Sequence, residues 1–294
     1  MSLGVVAKNL FGKHRIARWG YWAFRLKVIP LFSMSNLRYR GVGLVTVKTS
    51  NFALELDLRD RWSRKVFESI KKNGYYEPSN TLLIKGNLRI GGVFVDVGAN
   101  LGYFTVLAAK IVGPQGKVYA FEPYASAAKQ LATNLMLNGV TNVELTRKAA
   151  SSKTGFITLY ASGDDISLAN TSGPLGPGFL GTQVETIRID DELAEDIEVD
   201  IVKMDIEGGE FDALLGMTKT INRSKNLRLV IEYNASARDA RKIGFNLFEF
   251  LNRQFEVYKV EPRGGSEQPA LVGPVHAPEA IRERLCTLWC VRRQ

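Results

Sequence analysis

Val93 to Val97 read as a short buried strand. The chain then turns through Asp96-Val-Gly98-Ala-Asn100-Leu-Gly102 into a helix with apolar spacing over residues 102–112. A strand that runs through a glycine turn into a helix commits the chain to a βαβ unit. Glycines at 98 and 102 allow a tight turn and bring the main chain close to a ligand. The next strand, 117–121, ends at Glu122, which lies 20 residues after Gly102. A carboxylate there can accept both hydrogens of a ribose diol. Together they point to a nucleoside-containing cofactor at the carboxyl ends of the strands, against a turn of purely structural use.

The alternation continues downstream. Helix 124–138, strands 143–146 and 155–160 (the latter read as an edge hairpin), a Gly/Pro-rich stretch over 163–181 and a helix near 190–195 come first. Strand 199–204, helix 208–222, strand 227–232, helix 238–254, strand 255–261, a loop over 262–280 with a short helix at 278–284, and strand 286–292 complete the chain. Strands alternating with helices mean an α/β fold, a mostly parallel sheet with helices on both faces. The last two strands are expected to pair antiparallel at the sheet edge. Upstream, residues 42–58 alternate as a hairpin, 60–73 form a helix, and Gly74-Tyr75-Tyr76-Glu77-Pro78 breaks it. The expected division is an arm at 1–40, an extension at 41–90 and the main domain at 91–294.

Of the net charge of +9, the arm holds +8 and the rest of the chain +1. Residues 1–40 hold Lys8, Lys13, Arg15, Arg18, Arg25, Lys27, Arg38 and Arg40 and no acidic residue. A protein that reads nucleic acid across its body would spread that excess over a face. The arm also carries Trp19, Trp22 and Phe24, so two readings stand. One is an amphipathic helix on an anionic membrane surface; the other is a helix packed on the body with its basic residues solvated. No apolar run reaches the roughly 18 residues of a membrane span, and no clean signal peptide is seen. Cys286 and Cys290, four apart on one strand, would sit about 13 Å apart, too far for a disulfide. A reducing, cytoplasmic location is expected, with peripheral contact at an inner membrane face if the arm binds lipid.

The spacing G-x-x-x-G differs from the G-x-G-x-x-G of dinucleotide folds. Asp96 beside the turn would repel a pyrophosphate and suit an ammonium. The local chemistry therefore prefers S-adenosylmethionine. At this point a resemblance emerges. Val95 to Thr105, Val118-Tyr-Ala-Phe-Glu-Pro123, Asn134 to Asn138-Gly139 and Val202-Lys-Met-Asp-Ile-Glu-Gly-Gly-Glu210 resemble the motifs of FkbM-type methyltransferases. It covers roughly residues 55–262. The resemblance implies a seven-stranded class I methyltransferase fold with a C-terminal antiparallel strand. It also implies methyl transfer from S-adenosylmethionine, usually to a hydroxyl of a sugar, glycolipid or natural product. Carried over, Asp96, Gly98, Ala99, Asn100, Gly102 and Tyr103 surround the methionine end, Glu122 and Pro123 take the ribose, and Ala149 edges the adenine. The segment around Glu77 would close over the cofactor.

Methyl transfer to a hydroxyl requires water exclusion, alignment and a proton acceptor. Asp205 ends the fourth parallel strand, over the crevice where ligands bind, with Glu207 as its helper. A structural cap is the alternative for Asp205, and compensation of a helix N-terminus for Glu207. Glu232 ends the next strand and Asn234 follows. Asp205, Glu232 and Asn234 are hard oxygen ligands that suit Mg²⁺ or Mn²⁺, although the metal-free mechanism is favoured. Of the two histidines, His14 lies in the arm, and His276 is a weaker base candidate expected on the active-site side. Asp205-Ile-Glu-Gly replaces the Asn/Asp-Pro-Pro-Tyr-type element of many DNA amino-methylating enzymes. A nucleic-acid methyltransferase and a non-catalytic cofactor-binding module remain the alternatives to a small-molecule or glycan O-methyltransferase. The sequence leaves oligomeric state open.

Overall fold

The computed structural model describes residues 39, 41–162, 165–170, 179–234, 240–263, 268–281, 283 and 285–293. The chain divides into two compact units, Met1–Gly43 and Leu44–Gln294. In the first, Val42 N donates to Tyr39 O at 3.0 Å. The helix expected in the basic arm and His14 lie outside the described residues. No helix among the described residues is long and apolar enough to cross a membrane.

The second unit opens with an antiparallel hairpin of β1 (Leu44–Lys48) and β2 (Ala53–Asp57), then α1 (Arg61–Asn73) and α2 (Pro78–Asn87). Asp60 caps α1 by accepting from Ser63 N at 2.6 Å, and Gly74 ends it with φ 76°. Helix α2 was not expected from the sequence, although Pro78 at its first turn is a start signal. The alternating region follows as β3 (Val93–Val97), α3 (Tyr103–Val112), β4 (Lys117–Phe121), α4 (Ala125–Leu137), β5 (Val143–Thr146), β6 (Ala149–Ala150), β7 (Gly155–Ser162), β8 (Asp165–Asn170) and β9 (Phe179–Ile187). Then come α5 (Ile189–Glu192), β10 (Ile201–Met204), α6 (Glu210–Leu215), α7 (Thr218–Arg223), β11 (Arg228–Asn234), α8 (Ala240–Gln254), β12 (Phe255–Glu261), β13 (Ala270–Val272) and β14 (Leu285–Arg292). One helix expected over 208–222 is therefore two short ones, separated near Gly216.

The central sheet has the order β13-β12-β14-β11-β10-β3-β4-β5. β11, β10, β3, β4 and β5 are mutually parallel, and β14 runs antiparallel between β11 and β12. This is the class I methyltransferase arrangement, Rossmann-like, with short β13 as an eighth strand. The last two long strands, β12 and β14, pair antiparallel at this end of the sheet, as expected, with β14 on the inner side. Its Leu288, Trp289 and Cys290 are buried, which is the pattern of a strand covered on both faces. Cys286 and Cys290 are both free.

Of the stretch read as a Gly/Pro-rich loop, residues 165–170 and 179–181 belong to a second sheet, order β6-β9-β7-β8; residues 163–164 and 171–178 lie outside the described ones. The core sits between the central sheet and its helices, where Val95, Val202, Met204, Ile231 and Leu288 are fully buried. Each such side chain contributes about 1.5–3 kcal/mol. The Asn134–Asn138 motif now has a physical role. Asn134 Oδ1 accepts from Glu55 N and its Nδ2 donates to Leu101 O, both at 2.8 Å. Asn138 brackets Ala53, accepting from its N at 3.0 Å and donating to its O at 2.7 Å. Helix α4 thereby ties the hairpin to the glycine turn.

Candidate active site

The glycine turn is built by backbone geometry. Gly98 N and Ala99 N both donate to Phe121 O, at 3.0 and 3.1 Å, folding the turn over the end of β4. Gly98 has φ 79°, and a Cβ there would lie 2.1 Å from Asp205 O. Only glycine allows the β3 turn and the end of β10 to approach so closely. Gly102 has φ 91° and packs on Leu131. Asn100 itself is left-handed at φ 50°. The described non-glycine residues with positive φ are Glu77, Asn100 and Glu207, and all three border the cavities described below. Such strain costs roughly 1–3 kcal/mol each and gathers at ligand sites.

One cavity opens at the carboxyl ends of β3, β4 and β10. Gly98, Ala99, Asn100, Tyr103, Glu122, Pro123, Ala149, Asp205 and Glu207 line it, so the structure brings together most of the residues singled out from sequence. Glu122 is buried, with Oε2 accepting from Asn100 N at 2.8 Å and Oε1 from Tyr124 N at 2.9 Å. Burial pushes its carboxyl up to about 7, against the pull of those two amides. Trp62, Tyr76, Tyr124, Ile157 and Leu159 add an apolar and aromatic wall. Ile157 and Leu159 come from β7, so the second sheet closes one side, which the sequence did not reveal.

Asp96 is placed differently from the expectation. Its side chain is fully buried and does not line the cavity. Its Oδ2 accepts from Thr105 Oγ1 at 2.6 Å, while Oδ1 has no hydrogen-bond partner. Burial pushes this carboxyl up and Lys203 pulls it back. The carboxyls that face the cavity are Glu122, Asp205 and Glu207. Gly102 likewise sits behind the wall. Glu77 lines an adjoining cavity with Glu232.

Lys203 lines the cavity, and the sequence reading missed it. It pairs in register with Asp96 and is buried. Its ammonium lies 3.2 Å from Asp205 Oδ2 and 5.2 Å from the Phe104 ring centroid. Burial works against its charge, but Asp205 and Asp96 outweigh that and raise its pKa. A lone lysine in an otherwise apolar strand, Ile201-Val-Lys-Met204, was the available signal.

Asp205, Glu207 and Glu232 bring carboxylate oxygens within 4.8 Å of one another. Burial tends to raise Asp205, but Lys203 prevails and holds it below the usual range. Burial, then the charge of Asp205, hold Glu232 well above that range. Burial and Asp205 also raise Glu207. Glu207 Oε2 accepts from Asn234 Nδ2 at 3.1 Å. The loop is fixed by Glu210, also overlooked in the sequence, which accepts from Ile206 N at 3.1 Å and Gly208 N at 3.0 Å. Glu210 thus stabilises the helix start, the role considered for Glu207. The oxygen set is hard and would suit Mg²⁺ or Mn²⁺; Glu207 joins the expected Asp205 and Glu232, and Asn234 is bonded to Glu207 beside them. His276 does not line the cavity; it lies in a separate depression with Phe248, Asn252 and Arg253.

The sheet order and this cavity define a Rossmann-like α/β protein that presents carboxyls and a glycine turn at its strand ends. The chain belongs to the family described as the methyltransferase FkbM domain, whose model matches residues 96–263. It is 32% identical over 143 residues to Methyltransferase 1 of Beauveria bassiana, covering 42% of this chain and 57% of that protein. It is 30% identical over 154 residues to the hexuronic acid methyltransferase AglP of Haloferax volcanii, covering 51% and 60%. The chain thus spans less than two thirds of either relative. Among solved structures, a precorrin-6y C5,15-methyltransferase from Geobacter metallireducens superposes with TM-score 0.42 at 16% identity, over 74% of this chain and 89% of that one.

Proposed function

We propose that the chain is an S-adenosylmethionine-dependent O-methyltransferase whose acceptor is a hydroxyl of a sugar or a similar polyhydroxylated molecule. The observation that carries this reading is the convergence of Asp205, Glu207 and Glu232 at the rim of the cavity formed by the glycine turn and Glu122. The donor set fits the cofactor. Glu122 would take the ribose diol, the turn at Gly98–Asn100 would take the amino-acid end, and Tyr124, Ile157 and Leu159 offer an apolar face to the adenine. The cofactor, when bound, supplies an electrophilic methyl on a sulfonium.

The chain's own residues do the rest. Asp205, held ionised by Lys203, accepts the proton of the acceptor hydroxyl at Oδ. Glu232 keeps its proton and shares it with Asp205, which fixes the orientation of the base. Glu207, anchored by Asn234, orients the acceptor. Trp62, Tyr76 and Leu159 keep water away from the reacting centre. The name of the haloarchaeal relative, a hexuronic acid methyltransferase, supports a sugar acceptor. A carboxyl-rich rim opposes a phosphate backbone, which disfavours nucleic acid. Methyl transfer to cell glycans by the wild type, lost in Asp205→Asn while cofactor binding survives, tests the reading.

A second reading has its own observation. Three carboxylate oxygens within 4.8 Å of one another are a ready divalent-cation set. Under that reading all three acids ionise and activity disappears with EDTA and returns with Mg²⁺. The metal-free version is favoured because Lys203 already supplies a positive charge beside Asp205.

A further inference from the structure

A second cavity adjoins the first across the three carboxyls. Asp205 and Glu207 line one cavity and Glu232 lines the other. It has a volume of about 390 Å³, which is the size of a small-ligand pocket. Helix α2 contributes Ser79 and Asn80, β11 contributes Glu232, and β14 contributes Thr287. Thr287 is the register partner of Glu232, so their side chains share one face of the sheet.

Two features of the wall bear on what the cavity can hold. Asn80 is 9% exposed, its Nδ2 donates to Glu77 Oε2 at 2.8 Å, and its Oδ1 has no hydrogen-bond partner. The bond from Asn80 Nδ2 fixes the Glu77 carboxylate on the wall, where it offers acceptor oxygens to the cavity. The second feature is charge. Four carboxyls (Glu77, Glu232, Glu261, Glu283) face two ammoniums. One of those, Lys259, already binds Glu261 at 2.7 Å and Glu283 at 2.8 Å. The other, Lys65, stands 4.1 Å from the Trp62 ring centroid at the exposed mouth. The wall is therefore rich in hydrogen-bond acceptors and has no positive excess. Hydroxyl groups are matched by such a wall; a carboxylate or phosphate is repelled by it.

We propose that this second cavity is the acceptor subsite, and that it selects an uncharged, hydroxyl-rich glycosyl ring over the corresponding uronic acid. The inference rests on the sugar reading given above. An acceptor seated there presents a hydroxyl to Asp205 across Glu232, on the opposite side of the carboxyls from the glycine turn.

The test uses the full chain and pairs of methyl glycosides and methyl glycuronides in gluco, galacto and manno configurations. Binding is read by saturation-transfer NMR and transfer by kcat/KM. In at least one pair the neutral member is expected to bind, and to be methylated, at least tenfold better than its uronic acid. Thr287→Trp and Ser79→Phe, each filling the cavity, are expected to abolish glycoside binding while S-adenosylmethionine affinity by calorimetry stays within twofold. Preference for the uronic acids, or glycoside binding that survives both fillings, overturns the inference and leaves the sugar reading intact. Binding and methylation of no glycoside, with labelling of another acceptor class from a cell extract, overturns the sugar reading and the inference with it.

Discussion

Lys203 Nζ lies 3.2 Å from Asp205 Oδ2, and both side chains are largely shielded from solvent, at 7% and 17% exposure. Removing one partner of such a buried pair is costly, about 3–5 kcal/mol. Lys203→Met is therefore expected to lower stability by about 3 kcal/mol, less if Asp205 takes up a proton. It should also move the acid limb of the pH–rate profile upward, because Asp205 loses the ammonium that keeps it ionised. Lys203→Arg should recover part of both. Denaturant titration and a pH–rate profile check this; an unmoved acid limb in Lys203→Met would remove Lys203 from the account.

Glu122 should control cofactor affinity. Loss of a charged, bidentate ribose contact costs about 1.5–3 kcal/mol, so Glu122→Ala is expected to weaken S-adenosylmethionine binding tenfold or more. NAD is expected not to bind. Because burial places this carboxyl near 7, affinity should rise with pH up to that value and then level. Glu122→Gln should lose the pH dependence. Calorimetric titrations between pH 5.5 and 8.5 decide it, and equal affinities in wild type and Glu122→Ala would void the ribose assignment.

The turn and strand ends were legible because their physics is local. β3, β4 and β5 fall where apolar runs and glycines put them, and Gly98 shows why: its missing side chain admits Asp205 O. The position of Asp205 at the end of β10 was legible for the same reason. What escaped the sequence depended on long-range packing. Lys203 looks like a stray charge until its register partner Asp96 is known. Glu210 could be recognised as the group holding the loop only once the backbone had folded back onto it. The antiparallel pairing of β12 with β14 was legible from the short connection between them, but the insertion of β14 beside β11 was not. Asp96 looked like a cofactor contact in sequence, but alternation along β3 turns it toward Thr105.

Stability should fall with rising pH in the cofactor-free chain. Burial raises Glu122 and Glu210 from an ordinary 4.5 to about 7. Between those values the folded chain holds protons that the unfolded chain has released, so unfolding becomes easier as pH rises through the window. Each group contributes up to about 3 kcal/mol. Asp205 has the opposite sign, but its lowered pKa acts only below about pH 4. A melting temperature at pH 5 above that at pH 8 is expected. The reverse order would contradict the burial of these two carboxyls.

Asn134 should matter for both folding and the site. Its two ends are bonded to Glu55 N and Leu101 O and it is fully buried. Asn134→Ala leaves both backbone groups without partners, at about 1–3 kcal/mol each. Stability is expected to drop by at least about 2 kcal/mol, and S-adenosylmethionine affinity to weaken because Leu101 belongs to the glycine turn. Denaturant titration and calorimetry on the same sample separate the two effects. Unchanged stability would mean that α4 does not hold the turn.

The most direct test is labelled methyl transfer from S-adenosylmethionine to a cell glycan extract, run side by side with wild type and Asp205→Asn at matched cofactor saturation. The account predicts base-stable, ether-linked label with the wild type and a rate lower by about 10² or more in Asp205→Asn, with cofactor affinity preserved. Equal labelling by the two proteins would contradict it.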